Sequence, residues 1–368
     1  MKAPRRILVV VPLRIGDVLL ATPVMRSLRQ AWPSAEIDVL VFRNTEGVLQ
    51  RNPDIDHVIT VAARPGFLRH LYLIIWMFRR YDLAVTTLLG DRPTLYAWIA
   101  GKVSVGMQDG SEKERWKQRL LTRWAPFEHV HAHTVLTNLG LMDVLGIARS
   151  HEVVASWDTS DEHALAGKLP FNISTERYAV LHLSPKFPYK MWHHNGWAET
   201  ARWLDENGIR TVLTGSSDPD ELEYVRKISA SMPPTAVNMA GKLSLAESAC
   251  LISRSRCYVG PDTALTHMAA ALGAPTVALF GPSNPVKWGP WPKGYAENVN
   301  PYRMKGTQRV NNVVLLQGEK DCVPCMEEGC DRHNNSLSEC LQTLPAARVI
   351  DALHGLIVRP DASAGISA

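Results

Sequence analysis

The sequence predicts an α/β protein built on two doubly wound parallel sheets. Short apolar stretches rich in Val, Ile and Leu alternate with helical patterns along most of the chain. That alternation is typical of parallel strands that helices cover on both faces. The chain has 368 residues, of which 46 % are apolar and 21 % are charged. This length and composition are those of a soluble protein with two domains.

The predicted strands fall into two sets of about five, which suggests two sheets rather than one. In the first half they are "RILVVVP", "EIDVLVF", "HVITV", "YDLAVTT" and "KVSVGM". In the second half they are "YAVLHLS", "RTVLTGSS", "AVNMAG", "RCYVGPD" and "TVALFG". A polar stretch at 156–177 separates the sets, so we predict domains at 1–165 and 166–345. A helix is predicted at 346–357, and the small, polar tail 358–368 is expected to be disordered.

Each half contains an apolar strand that ends in a glycine and an aspartate just before a helix. The first strand runs into Leu13–Asp17, and "CYVGPDTALTHMAAALGAP" repeats the pattern with Asp262 and Thr263. Ligands bind to loops of this kind, at the carboxyl ends of strands in open α/β sheets. The start of a helix also attracts phosphate through its unpaired N–H groups. The alternative is that Asp17, Asp262 and Thr263 are helix caps, whose oxygens bond to those N–H groups.

Several classes of protein are excluded by charge and by missing motifs. The net charge of +4 is too small to indicate a nucleic-acid partner. Neither G-x-G-x-x-G nor G-x-x-x-x-G-K-[ST] follows a strand, so we expect neither a dinucleotide cofactor nor a P-loop NTPase. The "DPD" at Asp218–Asp220 would suit Mg²⁺, but its position between a strand and a helix favours a helix start. No signal peptide precedes the first strand, so a cytoplasmic location is expected.

One segment of the second half supplies a cation close to a predicted strand end. The stretch "LHLSPKFPYKMWHHNGWAE" carries Lys186 and Lys190 together with Trp192. In the absence of a metal, a fixed cation is needed to offset the charge of a departing nucleotide diphosphate, and Lys190 is a candidate. The alternative makes the two lysines solvated surface residues and Trp192 a core residue.

Three stretches together resemble glycosyltransferase family 9, the bacterial heptosyltransferases of lipopolysaccharide core assembly. They are "IGDVLLATPVMRSLRQAWPSAEIDVLV", "KMWHHNGWAE" and "GPDTALTHMAAALGAPTVALFGPSNPVKW". The stretches "NPDIDHVI" and "LPAARVIDAL" look closest to the heptosyltransferase III branch. The resemblance implies a GT-B fold, with two Rossmann-like domains facing a cleft. The acceptor would bind on the N-terminal side and the nucleotide sugar on the C-terminal side. Helix 346–357 would pack back towards the N-terminal domain.

The resemblance also implies a mechanism, an inverting and metal-independent transfer of heptose from ADP-L-glycero-D-manno-heptose to a lipopolysaccharide inner-core hydroxyl. Asp17 matches the family's general base, which takes the proton of the attacking hydroxyl. Lys190, Asp262, Thr263 and His267 match the family's donor-binding residues, and Ala264, Glu221 and Ser184 are further candidates for the donor site. Arg14 and Gly16 accompany Asp17 on the acceptor side. Ala264 stands where the family usually has glycine, and its methyl group narrows the expected donor pocket. No cofactor is required for catalysis in this scheme.

Two further segments bear on the acceptor. In "GSEKERWKQRLLTRWAP", Arg115, Lys117 and Arg119 alternate with tryptophans, a pattern suited to the carboxylates and phosphates of the inner core. A solvated amphipathic helix is the alternative.

The stretch "GFLRHLYLIIWMFRR" would suit the interface of the inner membrane, with arginines near anionic headgroups. The alternative there is a buried crossover helix between two strands.

Cysteine and histidine clusters raise the question of a metal. Cys322, Cys325, Cys330 and Cys340 form a C-x₂-C-x₄-C-x₉-C pattern, which predicts either a structural Zn or Fe site or free, redox-active thiols. The alternating histidines of "EHVHAHTVL" resemble metal ligands on a strand, but the helical pattern that follows favours a helix start.

Other functions remain compatible with the same fold. A family 9 transferase could use a different nucleotide sugar or a protein acceptor. A nucleotide-sugar epimerase would need no acceptor, and an envelope-assembly scaffold would need no catalytic residues. Asp17, Lys190 and Asp262 count against both, because an epimerase has no use for a base towards an acceptor and a scaffold has none for a donor site.

Overall fold

A computed structural model describes residues 3–357 of the chain, and the predicted tail at 358–368 lies outside the described residues. The chain divides into two compact units. Unit 1 contains residues 3–156 and the short segment 295–300, and unit 2 contains residues 157–294 and 301–357. The sequence placed the domain boundary at 165/166, whereas the division in the structure follows Ser156.

Unit 1 is a parallel sheet with the strand order β3-β2-β1-β4-β5-β6. Its strands are Arg6–Val10 (β1), Glu36–Phe42 (β2), His57–Val61 (β3), Tyr81–Thr86 (β4), Gly101–Gln108 (β5) and Arg123–Pro126 (β6). Its helices are Ile15–Leu20 (α1), Thr22–Ala31 (α2), Phe67–Met77 (α3), Asp91–Ala100 (α4), Arg115–Gln118 (α5) and Thr134–Leu145 (α6). The last four residues of β1 are fully buried, as expected of a central strand covered on both faces.

Unit 2 has the strand order β12-β13-β11-β10-β7-β8-β9, parallel except for the edge strand β12. Its strands are Tyr178–His182 (β7), Arg210–Thr214 (β8), Val237–Asn238 (β9), Cys257–Pro261 (β10), Thr276–Phe280 (β11), Gln308–Val310 (β12) and Val313–Gln317 (β13). Its helices are Thr159–Ala166 (α7), His194–Glu206 (α8), Pro219–Ser229 (α9), Leu245–Arg254 (α10), Ala264–Leu272 (α11), Pro285–Trp288 (α12), Glu339–Gln342 (α13) and Ala346–Ile357 (α14).

The two sheets repeat one topology. Without β12, unit 2 follows the same order as unit 1, with β7 in the place of β1 and β10 in the place of β4. Every strand that the sequence predicted is present, and the structure adds β6, β12 and β13. β6 and β12 are edge strands of four and three residues and lack a continuous apolar run, so no pattern predicts them. β13, "VVLLQ", has the apolar run of a buried strand and was missed.

Helix α14 has the predicted bounds and packs on unit 2. Its buried residues Val349, Leu353 and Leu356 belong to the core of unit 2. They share that core with Trp192 and Leu204, among others. The spacing of four and three residues gives the helix one apolar face, which the sheet and α8 of its own unit cover. The expectation that helix 346–357 also packs back towards the N-terminal domain stays a prediction.

Helix α3 differs from the buried crossover helix that the sequence left as an alternative. Met77 is its buried residue, and its remaining side chains are half-buried or exposed. The alternative is right that α3 connects β3 to β4 and wrong that the helix is buried, because only one of its sides packs on the core of unit 1. Among the helices of residues 3–357, none combines the length and apolar character needed to cross a bilayer.

The alternating histidines lie at a helix start, as the sequence favoured. His133 is the N-cap of α6, and its side chain accepts a hydrogen bond from the backbone N–H of Val135. Residues 295–300, the short segment of unit 1, contact the start of α6 through Asn300. Asn300 accepts a hydrogen bond from the backbone N–H of His133 and donates one to the carbonyl of His131. These contacts give His133 a structural role.

Candidate active site

Unit 2 has a switch point between β7 and β10. From β7 the chain first builds β8 and β9 on one side of the sheet, and then β10, β11 and β13 on the other. Loops that leave the carboxyl ends of two such strands diverge and leave a crevice, which is where open α/β sheets bind ligands. Lys190 lies in the segment after β7, and Asp262 follows β10 directly. The topology therefore brings these two predicted residues to one crevice.

Lys190 and Asp262 form an ion pair at this point. The Lys190 Nζ lies 2.5 Å from Asp262 Oδ2. The second oxygen, Oδ1, lies 3.7 Å from Nε2 of His267, which is one turn into α11. Asp262 and His267 are buried, whereas 21 % of the Lys190 side chain is exposed. The lysine is thus the member of the cluster that a ligand reaches from solvent.

The cluster stabilises the ionised form of Asp262. Burial alone would raise the pKa of this carboxyl, because it disfavours the charged form. The charge of Lys190 and the contact with His267 outweigh burial and hold the pKa of Asp262 well below its ordinary value. Lys190 has three N–H donors, and Asp262 uses one of them. The pair therefore presents a positioned ammonium group that retains donors for a ligand.

The N-terminus of α11 lies beside this pair and has no side-chain cap. Thr263 is its N-cap residue, and no side chain accepts a capping hydrogen bond there. The cap interpretation of Asp262 and Thr263 is therefore wrong, since Asp262 pairs with Lys190 and Thr263 Oγ1 lies 3.2 Å from Thr266 Oγ1. Half-buried Ala264 is the first residue of the helix. A helix start of this kind is suited to binding an anion.

Two residues that sequence reasoning missed hold the segment that carries Lys190. Ser338 Oγ donates to the carbonyl of Tyr189 over 2.6 Å, and Gln342 Nε2 donates to the carbonyl of Met191 over 2.8 Å. The carbonyls on either side of Lys190 are thus bonded to the α13 region. Trp192 is fully buried, as the core alternative predicted, and donates to the carbonyl of Leu344. Since Ser338 and Gln342 lie about 150 residues along the chain, no local pattern reveals their role.

Glu221 and Ser184 occupy neighbouring positions at the same sheet edge. Ser184 is buried two residues beyond β7. Glu221 Oε2 accepts a hydrogen bond from Ser216, while Oε1 is buried with no hydrogen-bond partner among the described residues. A side chain at Gly215 would meet that carboxylate at 3.0 Å. The "DPD" turn is a helix start, because Asp218 caps α9.

Buried His182 ends β7 beside this carboxylate and was not predicted. Burial lowers the pKa of its imidazole, although the charge of Glu221 acts in the opposite direction. Its Nδ1 lies 3.2 Å from Thr214 Oγ1 at the end of β8. Its place at the last position of a central strand, in "VLHLS", is a signal that sequence reasoning could have used.

In unit 1 the predicted acceptor-side residues lie at the corresponding switch point. β1 pairs with β2 on one side and with β4 on the other, and α1 begins five residues after β1 ends. Arg14 is the N-cap residue of α1, without a side-chain cap, and Asp17 is the third residue of the helix. Asp17 is therefore not the cap residue. It is half-buried, as is Gly16, while Arg14 is exposed.

A comparison with known families decides the class of protein. The profile of "Glycosyltransferase family 9 (heptosyltransferase)" matches residues 94–317, more than half of the chain. The chain belongs to glycosyltransferase family 9. It is 25 % identical over 363 residues to the Lipopolysaccharide heptosyltransferase 3 of Escherichia coli, an alignment that covers 96 % of this chain and 98 % of that protein.

Solved structures share the fold of this glycosyltransferase. A glycosyltransferase of family 9 from Veillonella parvula has a TM-score of 0.77 at 20 % identity, covering 98 % of this chain and 99 % of that one. The E. coli heptosyltransferase WaaC, solved with ADP, has a TM-score of 0.71 at 20 % identity, covering 95 % and 99 %. The prediction of a GT-B protein with two Rossmann-like units is confirmed.

The basic segment of the transferase differs from a solvated amphipathic helix. Residues 112–118 form a single 3₁₀ turn followed by the four-residue α5. Arg115 and Arg119 are exposed. Lys117 is only 1 % exposed, and its ammonium pairs with Asp91 at 2.9 Å and with Glu114. An acceptor-binding role remains a prediction for the two arginines, whereas Lys117 is a buried structural cation.

The four cysteines do not form a ready metal site in this structure. Cys322, Cys325 and Cys330 are exposed, and Cys340 is buried. Burial, followed by the charges of the other three thiols, raises the pKa of Cys340 to about 12. Among the residues described, however, His, Cys, Asp and Glu ligand atoms gather within 4.8 Å only at Glu36, Asp38 and His57. The thiols as folded here do not fit a tetrahedral ion.

Proposed function

We propose that this family 9 glycosyltransferase transfers heptose from ADP-L-glycero-D-manno-heptose to a hydroxyl of the lipopolysaccharide inner core, with inversion and without a metal ion. The observation that carries the proposal is the cluster of Lys190, Asp262 and His267 beside the uncapped start of α11. Similarity to a lipopolysaccharide heptosyltransferase over nearly the whole chain supports the sugar and the acceptor class.

The cluster is suited to a nucleotide diphosphate. Lys190 supplies a positive charge to the β-phosphate, and the N–H groups at the start of α11 supply hydrogen bonds and the positive end of the helix dipole. His267 is buried, and its Nδ1 has no hydrogen-bond partner among the described residues. A ligand hydroxyl would satisfy it. Glu221, with an unpartnered buried oxygen, is our candidate for the ribose hydroxyls, and Ser184 completes the donor-binding set. The related WaaC structure contains ADP.

Asp17 is the proposed general base. The acceptor oxygen attacks the anomeric carbon of the donor, and its proton passes to the Asp17 carboxylate. The bond from the anomeric carbon to the β-phosphate oxygen breaks, and ADP leaves with the electron pair. Attack opposite the leaving group inverts the anomeric centre. Lys190 and the start of α11 offset the charge that develops on ADP, which is the role a metal ion has in other transferases.

The acceptor side rests on fewer contacts. Arg14, Arg115 and Arg119 are our candidates for binding the anionic inner core, because guanidinium groups form bidentate hydrogen bonds to carboxylates and phosphates. Gly16, next to Asp17, is our candidate for a backbone contact with the acceptor. A protein acceptor is the closest alternative, since it would leave the donor site unchanged. We place the enzyme at the cytoplasmic face of the inner membrane, where a lipid-linked acceptor is available.

Calorimetric binding of ADP-heptose, ADP, GDP-mannose, UDP-GlcNAc and dTDP-rhamnose, each with and without Mg²⁺, tests the donor. We expect selective binding of ADP-heptose that Mg²⁺ does not change. A preference for another nucleotide would contradict the heptosyl donor, with Ala264 as the first position to examine. Product analysis with isolated inner core against protein acceptors then tests the acceptor. A product formed without any acceptor would indicate an epimerase.

No catalytic step involves the four cysteines. A structural Zn or Fe ion there remains a prediction from their spacing, and it would require the exposed thiols to move together. Elemental analysis of the purified, unheated protein distinguishes the alternatives. We expect no ion and thiols that react freely with a thiol reagent. About one ion per chain, lost on replacing Cys325 with serine, would show instead that the thiols move together to bind a metal.

A further inference from the structure

Helix α3 exposes a continuous apolar face. Phe67, Leu68, Tyr72, Ile75 and Phe78 are 78 %, 77 %, 71 %, 66 % and 67 % exposed. Leu71, between them, is 41 % exposed. At 3.6 residues per turn the five positions in the helix lie on one side of it. Phe78, directly after the helix, extends the same side. A soluble protein rarely leaves so many large apolar side chains together in water, so the face requires a partner.

The opposite side of α3 anchors the helix to unit 1. Met77 is fully buried, and Leu73 and Trp76 pack on the same core cluster. His70 Nε2 lies 2.9 Å from the hydroxyl of Tyr96 in α4. The helix therefore has two apolar sides, one that the fold uses and one that it does not. Helices that are apolar all round are found in large cores or in membranes.

The charges around this face are of one sign. Arg64, Arg69, Arg79 and Arg80 are exposed on the helix and at its two ends. The chain contains no aspartate or glutamate between Asp56 and Asp82. Arg80 also stacks over the ring of Trp76, 4.2 Å from its centroid. Apolar and aromatic side chains bordered by arginine are the composition of helices that lie in the interface of an anionic bilayer.

We propose that α3 is a membrane-docking helix, which inserts Phe67, Leu68, Tyr72, Ile75 and Phe78 into the surface of a bilayer rich in anionic lipids. The inference extends the proposed function, since it rests on that function for the reason why the enzyme meets a membrane. It does not depend on the identity of the donor. The arginines bind the headgroups, and the apolar side chains enter the region beneath them.

A second copy of the chain fits this face less well. In a two-fold dimer the same surface meets itself. The four arginines of one copy would then approach those of the other, with no carboxylate in the segment to pair with them. Anionic headgroups remove that repulsion, so the charges favour a lipid surface.

Sedimentation of the full chain with vesicles tests the proposal. The vesicles are phosphatidylcholine alone, or phosphatidylcholine mixed with phosphatidylglycerol, at low and high salt. We expect binding to the anionic vesicles that high salt weakens. The double variant Phe67→Ser/Ile75→Ser should lose about tenfold or more in affinity, because two large apolar side chains no longer insert. Arg64→Gln/Arg69→Gln should lose about tenfold on anionic vesicles only.

The matched control is Val299→Ser/Leu337→Ser, which removes two exposed apolar side chains from elsewhere on the chain and should bind as the wild type does. Equal binding to neutral vesicles, or no vesicle binding at all, would overturn the proposal. A dimer that Phe67→Ser/Ile75→Ser converts to monomer, without vesicle binding, would assign the face to a second copy and also overturn it.

The proposed chemistry is tested separately in the same variants. Phe67→Ser/Ile75→Ser should keep the affinity for ADP-heptose and the transfer to a water-soluble, deacylated core acceptor. Vesicle binding by a protein that ignores ADP-heptose would leave this inference standing and remove the donor assignment. Normal transfer without vesicle binding would support the donor assignment and overturn this inference.

Discussion

The switch points of the two sheets have the same topology but place different charged groups after the central strand. In unit 1 the segment after the first strand carries Asp17, and in unit 2 the corresponding segment after β7 carries Lys190. Lys190 pairs with the buried Asp262 and is held by hydrogen bonds on both sides. Asp17 instead lies within the first turn of a six-residue helix. One topology thus positions a carboxylate in one unit and a cation in the other.

This difference suits a division of the reaction between the units. A base towards a hydroxyl must carry a negative charge, and a group that stabilises a departing diphosphate must carry a positive one. The unit 2 site already holds Lys190 through an ion pair and through hydrogen bonds on both sides of it, so its residues should affect binding and stability. We expect the unit 1 carboxylate to affect the rate. The predictions below separate these two expectations.

The largest effect is expected at Asp17. Asp17→Asn keeps the shape of the side chain and removes its ability to take a proton. Transfer should therefore fall by about 10²–10⁴-fold, the usual contribution of a positioned base. The affinity for ADP-heptose should stay unchanged, as measured by calorimetry alongside initial rates.

Glu112→Gln makes the same change of charge at an exposed carboxylate of unit 1 and serves as the control. Near-normal turnover of Asp17→Asn would remove Asp17 as the base and, with it, the proposed division between the units.

Lys190→Ala should mainly lower the affinity for ADP. The loss of the positive charge should weaken ADP binding by about 10-fold or more, because a hydrogen bond to a charged group contributes about 1.5–3 kcal/mol. Calorimetry with ADP measures the effect, and Lys190→Arg should restore part of it. The neighbouring Lys186→Ala is the matched control. An unchanged affinity in Lys190→Ala would return this lysine to the role of a structural partner for Asp262.

The same pair should govern stability in acid. The folded-state pKa of Asp262 lies below the ordinary value of about 3.9, so its ionised form stabilises the protein above that pH. This stabilisation is lost as the pH falls through the folded-state pKa. Lys190→Ala leaves a buried carboxylate without its cation and should lower the free energy of unfolding by about 3 kcal/mol at neutral pH.

Denaturant unfolding of both proteins across the acid range measures this difference. The gap between wild type and Lys190→Ala should be largest at neutral pH. It should narrow as the pH falls, first where the unpaired carboxyl of the variant is protonated, because burial raises its pKa, and then down to the low folded-state pKa of Asp262 in the wild type. A gap that is independent of pH would show that the ion pair contributes nothing of its own.

A smaller effect is expected from the residues that hold the Lys190 segment. Ser338→Ala and Gln342→Ala each remove one hydrogen bond to a carbonyl beside Lys190. Each should raise the dissociation constant for ADP about fivefold, since such a bond contributes about 1 kcal/mol. Ser253→Ala removes a comparable bond within α10 and should leave ADP binding as it is. Equal effects of Ser338→Ala and Ser253→Ala would contradict the positioning role.

The smallest effect is expected at Ala264. Its methyl group lies at the first position of α11, where the resemblance leads one to expect glycine. Ala264→Gly should widen the donor pocket and raise turnover of bulkier nucleotide sugars a few-fold, with ADP affinity unchanged. Competition between two donors in one reaction measures the preference. An identical donor preference in both proteins would show that this methyl group does not contact the sugar.

The sequence alone determined the parts of this protein that rest on local pattern. Buried parallel strands are continuous apolar runs, so "EIDVLVF" predicted β2 to the residue. The β-branched residues of "HVITV" predicted the edge strand β3 equally well, although only Val61 is buried. Helix starts carry capping chemistry, so the role of Asp218 at α9 was readable in "DPD". The family resemblance rests on such local stretches, and it singled out Lys190, Asp262 and His267 before any contact among them was known.

Tertiary structure decided which side chains meet. The pairing of Lys190 with Asp262 spans 72 residues, and the bonds from Ser338 and Gln342 span about 150, so no local pattern contains them. Burial made Lys117 a structural cation, although Arg115 and Arg119 of the same segment are exposed. It also left one side of α3 uncovered while α14, with a similar apolar pattern, joined the core of unit 2. An apolar pattern shows that a helix needs a partner, and only the packed chain shows whether the protein supplies it.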